Sequence, residues 1–187
     1  MFYCQILSIF NIPITNKKSL FCIFITYKGG ILMIKTINLR RLIPCLLIPL
    51  FTGLIGQLFS QNAKEIYSNL QQPPLSPPSI VFPFVWTLLY ILLGIASYFI
   101  EESNCDKKRP RQAYTALLAL NLLWPIVFFT FEWFTFAAVI VVLMLAAAVI
   151  TLILFYNCDK NAGYLILPLI LWLIFAAYLN IGVVVLN

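Results

Sequence analysis

Five stretches of this chain lack charge altogether, and the polar and charged residues are gathered between them. They run over residues 42–60, 80–100, 112–131, 134–156 and 163–186. Each is close to the roughly 20 apolar residues that cross the hydrocarbon core of a bilayer. The pattern predicts an all-α integral membrane protein built as a bundle of five transmembrane helices. The sharpest boundary lies in Gln72–Tyr98, where a proline-locked loop gives way to a long apolar helix. Pro73, Pro74, Pro77 and Pro78 fix φ and withhold backbone donors, so the helix must begin after them, with Ser79 placed to cap it and Pro83 near its first turn. The first span carries Pro44, Pro49, Gly53 and Gly56, which predicts a bent helix closely packed by its neighbours. The connection over 61–79 is long for a small bundle, as lids and binding loops often are, and the turn at Glu132 is short.

The first 32 residues fit this pattern poorly. Their two apolar runs are broken by Pro13 and by Asn16-Lys17-Lys18, and neither reaches spanning length. Lys28-Gly29-Gly30 is what a purine-rich AAA-GGN-GGN stretch encodes, Met33 follows shortly after, and MIKTINLRRL is an ordinary basic leader to a membrane helix. The expectation is therefore a membrane domain over 33–187, preceded by translated upstream sequence or a disordered extension over 1–32.

Composition and charge narrow the function. Of 187 residues, 63% are hydrophobic and 10% charged, well below the roughly 25% charge of a soluble domain. The net charge of +6 comes from residues scattered at the ends of apolar runs, a topology signal and not a nucleic-acid footprint. Counting from Met33, the ends that carry Lys35, Arg40, Arg41, Lys107, Lys108, Arg109, Arg111 and Lys160 share one side of a five-span protein, and the other side has Lys64 alone. The basic side is expected to be cytoplasmic. With no histidine, and five cysteines without a C-x-x-C pair, the common zinc, haem and Ser/His or Cys/His catalytic arrangements are excluded.

Few polar residues lie within the spans. Asn121 has Trp124 and Pro125 on adjoining faces, and Asn180 shares a face with Trp172 and Ala176. An amide in hydrocarbon must find a partner, so both should point into the bundle, where they either glue helices together or meet a ligand. Trp86 and Tyr90, four apart, form an aromatic stripe. Trp133 sits at a helix end, as an interfacial anchor would, whereas Trp86, Trp124 and Trp172 lie deeper and suit an internal aromatic cluster. Ala113, Ala116 and Ala119 make a small-residue stripe, open to dimer contact or to packing within the chain.

The segments PPLSPPSIVFPFVWTLLYILLGIASY, LLALNLLWPIVFF and LPLILWLIFAAYLN, in this order and at these separations, resemble the TspO/MBR family of tryptophan-rich sensory proteins and mitochondrial translocator proteins. The resemblance covers about 33–187. It implies a five-helix bundle, usually a homodimer, in a membrane that is the inner membrane in bacteria. It also implies a pocket for tetrapyrroles and drug-like ligands below the first loop, lined by Trp86, Tyr90, Asn121, Trp124, Trp172, Ala176 and Asn180, with the prolines of the loop as its lid. Departures from the family pattern are Leu75 in the proline motif, Pro83-Phe84 ahead of Val85-Trp86, and Phe136 early in the fourth helix. The C-terminus lacks a Tyr-to-Arg cholesterol pattern.

Two classes of function follow. One is a receptor, sensor or transporter whose aromatic faces stack on a tetrapyrrole and whose amides meet its polar edge. The other is a light- and oxygen-dependent porphyrin-degrading enzyme, in which Trp86 and Trp172 would be the chemical groups because no acid–base pair or nucleophile is present. An exporter of small hydrophobic compounds would need an intramembrane carboxylate, and Glu132 stands at a helix end. No cofactor, metal or nucleic acid is expected beyond a tetrapyrrole as ligand and lipid as solvent.

Overall fold

In a computed structural model that describes residues 23–28 and 31–187, the chain divides into two units that meet in sequence at Arg40–Arg41. The first holds an antiparallel pair, β1 (Ile23–Lys28) and β2 (Ile31–Thr36), with Ile23 opposite Thr36 and Lys28 opposite Ile31. These strands were not expected. The signal was present all the same: β1 carries Ile23, Phe24, Ile25, Thr26 and Tyr27, β2 carries Ile31, Ile34 and Thr36, and the sequence between them is Gly29-Gly30. Met33 lies within β2, opposite Thr26. The expectation for 1–32 otherwise falls on residues outside the described ones.

The second unit is the membrane domain. Its helices are α1 (Leu39–Leu58), α2 (Ala63–Asn69), α3 (Val81–Glu102), α4 (Lys108–Pro125), α5 (Phe134–Cys158), α6 (Lys160–Tyr164) and α7 (Leu167–Leu186). Five segments are long and apolar enough to cross a membrane, with α4 continued to Thr130 and α6 joined to α7. The protein is an integral membrane protein.

α5 packs against both α4 and α7, and the core is built from Leu93, Ala96, Leu117, Ala137, Met144, Ala148, Leu169 and Leu173. α1 is the outermost helix. It buries only Cys45, Pro49 and Gly56, a stripe at spacings of four and seven, and turns Ile43, Leu47, Ile48, Phe51 and Leu54 outward to lipid. Its prolines do not end it, since the helix is continuous from Leu39 to Leu58. Where it does touch the bundle the approach is close: a Cβ added at Gly94 of α3 would stand 2.9 Å from the Leu46 Cα. Ala116 and Ala119 are exposed and Ala113 is half-buried, so most of that stripe faces outward among the described residues.

Three local features depart from the sequence expectation. α4 starts at Lys108, four residues early, so the basic run is the first turn of a helix and Pro110 is tolerated there. Past Pro125 the helix loosens into a π segment, Ile126–Thr130, closed by Phe131 N donating to Ile126 O at 3.2 Å. A proline removes a donor and crowds the preceding turn, and the ladder recovers by widening. Ser79 caps nothing with its side chain, because Ile80 stands at the N-cap and the first turn is closed by Val81 N to Pro78 O at 2.9 Å. The chain then reverses at Glu132, which adopts φ 54° between α4 and α5.

The basic end is held by Arg41 to Glu102 at 3.1 Å and by Arg111 to both oxygens of Glu101 at 2.8 and 2.6 Å. A disulfide, Cys105–Cys158, fastens the α3–α4 loop to the end of α5 there. Sequence reasoning missed it, since the two cysteines are 53 residues apart and carry no spacing motif. Cys45 is the free cysteine among the described residues, and it is buried.

Candidate ligand cavity

At the end of the bundle opposite the disulfide, a cavity of about 520 Å³ opens among α1, α3, α4, α5 and α7, beneath the 61–79 connection. Its size falls in the range of pockets that hold drug-sized ligands. α1 contributes Gly53 and Gly56, residues small enough to leave space where a larger side chain would fill it. The Gly53 Cα faces the Tyr90 ring so closely that an added Cβ would meet Tyr90 Cε2 at 2.5 Å. α3 contributes Phe82, Trp86 and Tyr90, with the Trp86 and Tyr90 rings 5.6 Å apart. α4 contributes Asn121, Trp124 and Pro125, and its π segment adds Phe128 and Phe129. α7 supplies Trp172, Ala176 and Asn180.

All seven residues singled out from the sequence, Trp86, Tyr90, Asn121, Trp124, Trp172, Ala176 and Asn180, therefore line a single cavity. The two amides do not bond each other. Asn180 Nδ2 donates to Ala176 O at 2.8 Å, while its Oδ1 accepts from Trp124 Nε1 at 3.0 Å and so ties α4 to α7. Asn121 Nδ2 donates to Leu117 O at 2.8 Å, but its Oδ1 has no partner among the described residues. Trp172 Nε1 is likewise buried and unpartnered. A buried polar atom without a hydrogen bond costs about 1–3 kcal/mol. Two residues of the lining thus each carry a buried, unpartnered atom, an acceptor on Asn121 and a donor on Trp172.

The four prolines, Pro73, Pro74, Pro77 and Pro78, lie in the connection that covers the cavity but are not among its lining residues; the connection closes it with Ala63, Lys64 and Tyr67 of α2, and with Gln72 and Ser79. The prolines instead fasten the connection. Pro73 packs on Gly182, Tyr178 donates to Pro74 O at 2.8 Å, and Tyr67 donates to Pro77 O at 2.7 Å. Burial raises the Tyr67 phenol above its ordinary pKa and keeps that donor protonated. The Asn187 side chain pairs with the backbone of Gln71 in both directions, at 2.9 and 3.1 Å. Leu75 at the tip has φ 67° and is exposed.

Replacing all four prolines with glycine is expected to leave the helices intact and to speed ligand release about tenfold, because a loosened loop must be ordered on each binding event. Stopped-flow dissociation beside far-UV circular dichroism measures both, and an unchanged off-rate would remove the lid role.

The TspO/MBR family model matches residues 45–186, which takes in the cavity and all the spans except the first turns of α1. The chain belongs to the TspO/MBR family. It is 32% identical over 152 residues to the tryptophan-rich protein TspO of Archaeoglobus fulgidus, covering 80% of this chain and 99% of that protein. It is 31% identical over 147 residues to the TspO of Chlorobaculum tepidum, covering 76% and 93%. With the translocator protein of Bos taurus it shares 32% over 139 residues, covering 72% and 82%. Tyr67, Lys64, Gly53 and the π-segment aromatics were not singled out from the sequence as lining residues. Only Gly53, in its Gly53-x-x-Gly56 setting, carried a usable signal, as a site of close approach.

Proposed function

We propose that this family member is a membrane receptor or carrier that binds tetrapyrroles in the cavity between its helices. The observation that carries the reading is the shape and lining of the cavity: Trp86, Tyr90, Trp124, Phe128, Phe129 and Trp172 wall its inner part, and Gln57, Ser60, Gln61 and Gln72 its loop end. A tetrapyrrole matches both features. Its flat aromatic face suits the ring-lined walls, and the carboxylates at its edge can accept from the polar side chains. Titrating the protein in detergent with protoporphyrin IX and following its Soret band tests the reading. Saturable binding near one per chain supports it, and partition indistinguishable from empty micelles would remove it.

The basic end of the bundle is inferred to face the cytosol, and in a bacterium the host membrane would be the inner one, on the eight-to-one bias of Lys and Arg. Disulfides are rare in that compartment. The Cys105–Cys158 pair is then expected to be open in growing cells and to close under oxidant. Maleimide mass-tagging of intact cells reads this directly. On a background with Cys4, Cys22 and Cys45 replaced by alanine, two tags without reductant are expected; tags that appear only after reduction would place this end outside.

A further inference from the structure

The cavity has two unlike ends. Toward α4 and α7 its lining is aromatic and apolar, whereas toward the loop it is polar, through Gln57, Ser60, Gln61 and Gln72. Lys64 stands in that polar end and is the single charged residue among those lining the cavity. It shares a face of α2 with Tyr67, three residues on, which also lines the cavity and is pinned by its bond to Pro77 O at 2.7 Å. The α2 backbone under Lys64 is thus held in place.

Charge pairing sets this lysine apart. At the other end of the bundle Arg41 and Arg111 are taken up by Glu102 and Glu101. Among the described residues the Lys64 side chain has no ion pair or hydrogen bond, and its acidic neighbour Glu65 is adjacent in the helix, where side chains diverge. An unpaired ammonium at the mouth of an apolar, ring-lined cavity attracts an anion, and the low dielectric below it strengthens the attraction relative to open solvent. The other polar residues there can each donate to a carboxylate oxygen.

We propose that Lys64 is the anion anchor of this cavity, and that its ligand is an amphipathic molecule with an aromatic body and a carboxylate at the edge facing the loop. The inference rests on the tetrapyrrole reading and narrows it. The preferred ligand is a tetrapyrrole with free acid side chains, seated with its acid edge toward α2 and its macrocycle against Trp86 and Trp172.

Equilibrium titrations of the wild type, Lys64→Gln and Lys64→Glu with protoporphyrin IX and with its dimethyl ester separate the possibilities. The wild type is expected to prefer the free acid, by roughly three- to tenfold for a partly solvated charge-assisted contact, and to lose that preference in high salt. Lys64→Gln should abolish the preference and leave ester binding unchanged, and Lys64→Glu should reverse it. Equal wild-type affinity for acid and ester would overturn the anchor and leave the tetrapyrrole reading standing. An equal loss for both ligands in Lys64→Gln would make the lysine a structural part of the loop and also overturn it. Failure of the wild type to bind either compound would remove the tetrapyrrole reading and this inference together.

Discussion

Gly94→Val is expected to cost the protein its assembled fold. Gly94 is buried on α3, and a Cβ there would meet the Leu46 Cα at 2.9 Å, Leu46 Cδ2 at 2.9 Å and Cys45 O at 3.0 Å. Two of those three atoms are backbone, so a rotamer change cannot relieve the clash, and α1 itself must move away. Small residues at such crossings are what allow membrane helices to approach, because lipid tails offer no hydrophobic drive between them. α1 has little else to hold it, since most of its surface faces lipid. Overpacking costs about 1–3 kcal/mol even where side chains can adjust, and this site lies at the upper end. The measurement is the yield of monodisperse protein and its thermal midpoint in detergent. A variant that purifies with an unchanged midpoint would show that α1 does not pack on α3 through Gly94.

Gly53→Val should act on the ligand and spare the fold. The atoms that an added Cβ would meet, 2.5–3.4 Å away, all belong to the Tyr90 ring, which lines the cavity. The ring can swing into the space beyond it, and the valine methyls project toward the same cavity. Binding should weaken at least tenfold, about 1.4 kcal/mol, with folded yield preserved. The contrast with Gly94 is the informative part, because one glycine faces backbone and the other the far end of a side chain. Wild-type affinity in folded Gly53→Val would mean that the ligand does not occupy the volume next to Tyr90.

The number of spans was legible because hydropathy and bilayer thickness are enough to count them. The ends were less so. Residues 108–111 read as a charged loop but form the first turn of α4, since a helix start tolerates both solvent-facing charge and Pro110. The Cys105–Cys158 link is a tertiary fact with no local trace. The strands β1 and β2 are six residues each and only partly alternating, and short apolar runs of that kind fit a helix segment as readily as a strand.

The cavity shows the same division. Trp86, Tyr90, Asn121, Trp124, Trp172, Ala176 and Asn180 could be named because motif and helical spacing put them on inward faces. Which atoms would be satisfied could not. Asn121 and Asn180 are chemically identical, yet one amide oxygen is spent on Trp124 and the other is left free, a distinction set by how α4 and α7 are rotated against each other. The prolines were assigned to a lid from their position alone. Only the packing of Pro73 on Gly182, and the bonds of Tyr178 and Tyr67 to Pro74 and Pro77, show that they clamp the connection while α2 provides the cover.

The most direct test of the cavity as a tetrapyrrole site is intrinsic fluorescence resolved by tryptophan. Trp86, Trp124 and Trp172 line the cavity, whereas Trp133 is 57% exposed beside Glu132 and does not. Protoporphyrin IX should quench the wild type saturably. A variant keeping only Trp133, with the other three replaced by phenylalanine, should lose most of the quenched signal and show little of its own. Variants that keep Trp133 and either Trp86 or Trp172 should recover it. Quenching that is non-saturable, or that falls equally on Trp133 and the inner tryptophans, would contradict the account.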